Sequence, residues 1–212
     1  QNGTGFEVSY NHVFNYTGFA ITVIASDGLV EGNRVTDCLG SDTLGINLLL
    51  EGNKTDVIAN IIDGVDGNAI YVNGNSAERE QPSSISRNVV TNTTNTTGAG
   101  QYGNGISIFR GLYVRVSDNH IENSTFSSIR GNRAQFCTIA DNTCLFSADN
   151  AIFIEFARQN VSVIGNTIRQ NSLVDPELTI GIQSANFIGV GGVGTAIDGN
   201  YIAGSNLGII SE

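Results

Sequence analysis

The chain is expected to fold as an all-β, right-handed parallel β-helix, a single-chain solenoid of about eight coils. Three observations predict it: an Asn repeat flanked by apolar residues, a second repeat of alternating strands between those segments, and a composition hostile to helices. Of 212 residues, 26 are Gly and 25 are Asn, both poor helix formers and both spread along the whole chain. Hydrophobic residues make up 40% and charged residues only 14%, a balance that favours a packed core over disorder. No apolar run approaches the ~20 residues that a membrane-spanning helix requires.

The Asn repeat is an aliphatic residue, two variable residues, Asn, one variable residue and an apolar residue. It reads VSYNHV (Val8–Val13), VEGNRV (Val30–Val35), VIANII (Val57–Ile62) and ISRNVV (Ile85–Val90). It continues as VSDNHI (Val116–Ile121), IADNTC (Ile139–Cys144), VIGNTI (Val163–Ile168) and IDGNYI (Ile197–Ile202). The Asn residues 11, 33, 60, 88, 119, 142, 166 and 200 are spaced by 22, 27, 28, 31, 23, 24 and 34 residues. A minimum near 22 with variable additions fits a coil of fixed circumference from which loops bulge at set corners. Asn suits such a corner because it tolerates the left-handed backbone region. Its amide can also bond the equivalent Asn one coil away, at the ~4.8 Å spacing of paired strands.

The second repeat places a small residue before an aliphatic one and then alternates. It appears as GFAITV (Gly18–Val23), GINLLL (Gly45–Leu50), AIYVNG (Ala69–Gly74) and GISIFR (Gly105–Arg110), and later as SIRGNR, AIFIEF, GIQSAN and GII. A period of two sends Ile46, Ile70, Ile106, Ile129, Ile152 and Ile182 inward and the residues between them outward. No coil could bury its apolar face alone, so stability must come from its neighbours. Cys137 and Cys144 fall in inward registers and read as small buried hydrophobes, with no CxxC spacing for zinc or redox chemistry. Cys38 reads as a loop residue. Extra sequence at 36–44, 91–103 and 169–180 lengthens one corner, and 74–84 and 186–194 another. All 212 residues form one domain, expected to be part of a longer chain because neither end shows a cap.

A net charge of −10, with one Lys and nine Arg, disfavours nucleic acid and anionic membranes as partners. The Gly-rich GVGGVG at 189–194 lacks the Lys-Ser/Thr of a phosphate loop. The informative feature is the outward stripe of the second repeat. Its first column is Asn47, Tyr71, Ser107, Arg130, Phe153 and Gln183; its second is Leu49, Asn73, Phe109, Asn132, Glu155 and Ala185. Aromatic faces stack on sugar rings, amides bond hydroxyls, and Arg grips a carboxylate. Tyr71, Asn73, Phe109, Asn132, Phe153 and Gln183 are therefore candidate substrate-binding residues, joined by Arg110 and Arg133 at the strand ends. Arg158 could line the same groove.

Glu155, the one carboxylate of the stripe, and Arg130 are the candidate catalytic pair: a general acid or base beside a cation that neutralises developing charge. The bland alternative is an ion pair that only ties coils together. Asp37, Asp42, Asp63 and Asp66 have oxygen ligands to offer Ca²⁺ but no fixed-spacing motif, so no metal site is assigned and no other cofactor is expected. His12 and His120 are expected on the surface, far apart in the stack.

Several stretches resemble a known family. GNGISIFR, VSDNHIENSTFSSIRGN, IADNTCLFSADNAIFIEF and VIGNTI are similar to a family of exported right-handed β-helix repeat proteins that carry twin-arginine signals. The resemblance is clearest over residues 85–170. It implies export, to the periplasm or beyond the cell, and no established catalytic residues. More broadly the chain resembles the pectate-lyase-like superfamily, whose members cleave, epimerise or bind polysaccharides. The Asp-Pro-His motif of mannuronan epimerases is absent, so that activity does not carry over. The expectation is a protein that binds or processes a polysaccharide or oligosaccharide along the stripe, as a lyase, hydrolase or epimerase-like enzyme if it is one. The competing expectation is a structural or adhesive spike-like solenoid, for which trimerisation stays open.

Overall fold

The computed structural model describes residues 4–24, 26–50, 54–74, 82–96, 102–157, 159–171, 179–185 and 193–211. These residues form a parallel β-solenoid with three short strands per turn and no helix among them. A first sheet stacks eight strands, from Thr4–Ser9 at one end to Val193–Asp198 at the other. Its six inner strands are paired on both sides. The remaining fifteen strands make a second and a third face, which the single long strand Ile61–Gly74 joins by running around their shared corner.

The Asn repeat straddles the corner between the first two sheets. Val57 closes onto the core from Thr55–Ile58, and Ile62 does so from the start of Ile61–Gly74. One sequence motif therefore yields two strands and two faces of the core. The turn falls one residue earlier than expected: Tyr10, Gly32, Ala59, Arg87, Asp118, Asp141, Gly165 and Gly199 take the left-handed conformation, with φ between 55° and 67°. The reason is geometric. Turning before the Asn lets both its backbone N–H and its Nδ2 face the next coil.

Both groups donate to Oδ1 of the next Asn, at 2.9–3.1 Å, in an unbroken run from Asn11 to Asn200. Nδ2 also reaches back to a strand carbonyl of the preceding coil, as Asn119 does to Ile85 O at 2.9 Å. The six inner members are at most 2% exposed, so the ladder satisfies buried backbone and side-chain groups that water does not reach.

Ile46, Ile70, Ile106, Ile129, Ile152 and Ile182 are fully buried in one column, as their register predicts. The small residue before each is required by space. A Cβ on Gly105 would lie 2.4 Å from Ile121 Cγ2 and 2.8 Å from the Ser128 carbonyl oxygen.

Cys137 and Cys144 are buried free thiols. Burial pushes their pKa up, to about 11 and about 12 respectively, so both stay protonated at neutral pH. A thiol-specific reagent is expected to leave them unmodified in the folded protein and to label them on unfolding; labelling of either under native conditions would contradict this packing. Cys38 is not a loop residue. It ends the strand Arg34–Cys38, with Sγ 2.5 Å from Thr43 Oγ1, because the strand pairing continues to Tyr16 at this corner.

Candidate functional site

The third sheet carries the predicted stripe in the predicted register. Asn47, Tyr71, Ser107, Arg130, Phe153 and Gln183 follow one another across paired strands. The second column runs in parallel through Leu49, Asn73, Phe109, Asn132, Glu155 and Ala185. Because each column advances one strand spacing per coil, the side chains form rows along the solenoid axis.

A groove of about 550 Å³ lies over these columns, from Phe19 at one end to Arg130 and Asn132 at the other. Tyr71, Asn73 and Phe109 line its floor. The sequence reading missed its wall at the corner before the sheet, where Asp42, Asn68 and Tyr102 stand. Asn68 belongs to a second, short amide ladder: Asn104 donates to Asn68 Oδ1 from its backbone N at 3.1 Å and from Nδ2 at 2.8 Å. A signal for it existed, since Asn68, Asn104 and Asn150 each stand two residues before an inward Ile.

The groove is polar where it can bond a ligand and apolar where it can stack. Asn47 Oδ1 and Asn132 Oδ1 are buried and accept no hydrogen bond from the described residues. Such acceptors carry a desolvation cost of about 1–3 kcal/mol each unless a ligand or water donates to them. Burial raises the Tyr71 pKa; the neighbouring Tyr102 adds to this, while Arg130 and Arg110 oppose it. The Tyr71 hydroxyl therefore remains a neutral donor and acceptor.

Arg130 and Glu155 meet across adjacent coils, Nη2 to Oε2 at 2.5 Å, with side chains 12% and 13% exposed. Asn132 Nδ2 donates to the same Oε2 at 2.8 Å. The Arg130 guanidinium also lies 5.5 Å from the Phe126 ring centre and 5.9 Å from that of Phe153, within cation–π range. Phe126 and Phe153 pack edge to face at 6.3 Å.

Tyr71, Asn73, Phe109, Arg130 and Asn132 thus share one groove, and Glu155 and Phe153 stand at its end. Gln183, one coil further, does not line it, nor do Arg110 and Arg133, whose backbones turn with φ of 54° at the ends of their strands. The Arg110 guanidinium lies over the Phe109 ring, 4.7 Å from its centre. Arg158 and residues 189–192 of the Gly-rich stretch fall outside the described residues.

Among the described residues no three His, Cys, Asp or Glu come together in a metal-binding group. Asp63 and Asp66 lie within the strand Ile61–Gly74. Their carboxylates are taken by the next coil: Asp63 accepts from Thr91 Oγ1 at 2.7 Å and Asn92 Nδ2 at 2.8 Å, and Asp66 from the Thr96 backbone at 2.8 Å. His12 and His120 face Thr36 and Glu122 respectively on separate coils.

No family model matches the chain, and no curated protein matches it. Among solved structures it is similar to the Azotobacter vinelandii mannuronan C-5 epimerase AlgE4 A-module, with a TM-score of 0.70 at 16% identity. The match covers 95% of this chain and 57% of that one. The class is therefore the parallel β-solenoids, a fold this chain shares with a carbohydrate-acting protein. The chain spans little more than half the length of that neighbour.

Proposed function

We propose that the chain binds a linear polysaccharide along the third-sheet groove. The observation that carries this reading is the groove itself: aromatic faces and unpartnered amide oxygens repeat along the solenoid axis over five coils, from Phe19 to Asn132. Four spacings of ~4.8 Å give it a length of roughly 19 Å, so a linear glycan laid along it meets a fresh row of side chains at each coil. The structural neighbour's name, a mannuronan epimerase, supports a carbohydrate ligand without assigning the sugar. Export, which the family resemblance implies, suits a partner met outside the cell.

Binding is favoured over turnover. Glu155 Oε2 is held by both Arg130 and Asn132, and the candidate second acids among the described residues are remote. Asp42 stands four coils away, roughly 19 Å at ~4.8 Å per coil, whereas paired-carboxylate hydrolysis uses separations of ~5–10 Å. Asp149 stands six residues from Glu155 along an extended strand, again roughly 20 Å. The alternative of a purely structural solenoid draws its support from the same ion pair, which ties neighbouring coils together.

A glycan array carrying linear uronate-containing and neutral oligosaccharides is expected to yield a ligand for the folded protein. Tyr71→Ala and Phe109→Ala are each expected to weaken that binding about 10-fold, the equivalent of one good aromatic contact. An array without a ligand, or two variants that bind like the parent, would remove the reading.

A further inference from the structure

Resting on that reading, we infer that the groove is blind and holds the end of a glycan chain, not an internal stretch. One end is open. Phe19 lines the groove there and is 56% exposed. The outward columns then keep Tyr71, Asn73, Phe109, Arg130 and Asn132 partly accessible, with the short Asn47 and Ser107 buried among them at 4% each. One coil later a large outward side chain is covered. Phe153 follows Arg130 in register yet is only 6% exposed, although period two points it outward. Glu155 follows Asn132 with its side chain 13% exposed, much as Arg130 at 12%, and beyond them Ala185 is 3% exposed while Gln183 is again partly accessible.

Among the described residues, four side chains form a plug there. Phe126 reaches over from the corner and packs edge-on against Phe153. The Arg130 guanidinium sits within 6 Å of both rings and is anchored from the next coil by Glu155. A glycan entering past Phe19 would meet this plug after crossing about five coils. Its last sugar would lie against Arg130 and Asn132, where the buried Asn132 Oδ1 awaits a hydroxyl donor. A chain passing straight through would have to displace two packed aromatic rings and a mostly buried ion pair.

The test is binding stoichiometry as a function of polymer length. Calorimetric titration would compare hexamers with long polymers of mannuronate, of galacturonate and of β-glucan. A blind groove predicts close to one protein per polymer chain at both lengths for any sugar that binds. Stoichiometry rising in proportion to length would overturn this inference while leaving the glycan reading intact. Failure of all the probes to bind would remove the glycan reading, and the inference with it. The double variant Phe126→Ala/Phe153→Ala, checked for β-sheet circular dichroism, is expected to open the end and make the stoichiometry length-dependent. Should that variant not fold, the length series on the parent protein still decides.

Discussion

Replacing Asn119 with Ala is expected to lower the unfolding free energy by about 3–5 kcal/mol, one of the two largest effects foreseen for a single side chain. Asn119 Oδ1 accepts from the Asn88 backbone N–H and Nδ2 at 3.0 and 2.9 Å, and its own Nδ2 donates to Asn142 Oδ1 and to Ile85 O. The substitution strips the Asn88 backbone N–H of its acceptor in a fully buried position and leaves the space of an amide beside it. Each orphaned buried group costs about 1–3 kcal/mol, and the vacated volume adds to that. The control is built into the molecule. Asn11 begins the described ladder, is exposed, and makes the same donor contacts to Asn33. Asn11→Ala is therefore expected to cost no more than about 1 kcal/mol. Equilibrium denaturation of both variants checks the contrast; a loss at Asn119 as small as the one expected at Asn11 would mean that the amide column is ornamental.

The second large effect is expected at the plug. Glu155→Ala deprives Arg130 of its carboxylate in a site where both side chains keep little more than a tenth of their exposure. Breaking a buried pair costs ~3–5 kcal/mol. The residual exposure and the flanking rings reduce that here to about 2–3 kcal/mol. The double variant Arg130→Met/Glu155→Met removes both charges while keeping most of the volume, and is expected to recover most of the loss. Denaturation of the single and double variants forms a thermodynamic cycle. A single variant as stable as the parent would show that the pair is a solvated contact and that the plug is not held by it.

Much of this was legible in the chain because two periodic signals reinforce one another. Asn at positions 11 to 200, each with an apolar residue three before and two after, marks a corner that only stacking explains. Counting by two from Ile46, Ile70, Ile106, Ile129, Ile152 and Ile182 then placed both outward columns correctly, down to the meeting of Asn132 and Glu155. What escaped lies where the coil departs from regularity. The left-handed residue before each ladder Asn is of any type, from Gly32 to Tyr10 and Arg87, so composition carries no mark of it. Tyr102 and Asp42 reach the groove, and Phe126 the rings at its end, from corner segments of unequal length, and no period relates such segments to the strands. Phe153 looked like an outward aromatic offered to a ligand, whereas Phe126 and Arg130 cover it. Register told which way it points but not what packs over it.

Crystals of the protein soaked with a linear oligosaccharide drawn from the array would test the central claim most directly. The account predicts sugar density over the third sheet, entering beside Phe19, passing Tyr71 and Phe109, and stopping at Arg130 and Asn132. Sugar bound on either of the other two faces, or running on past Phe153 without a break, would contradict it.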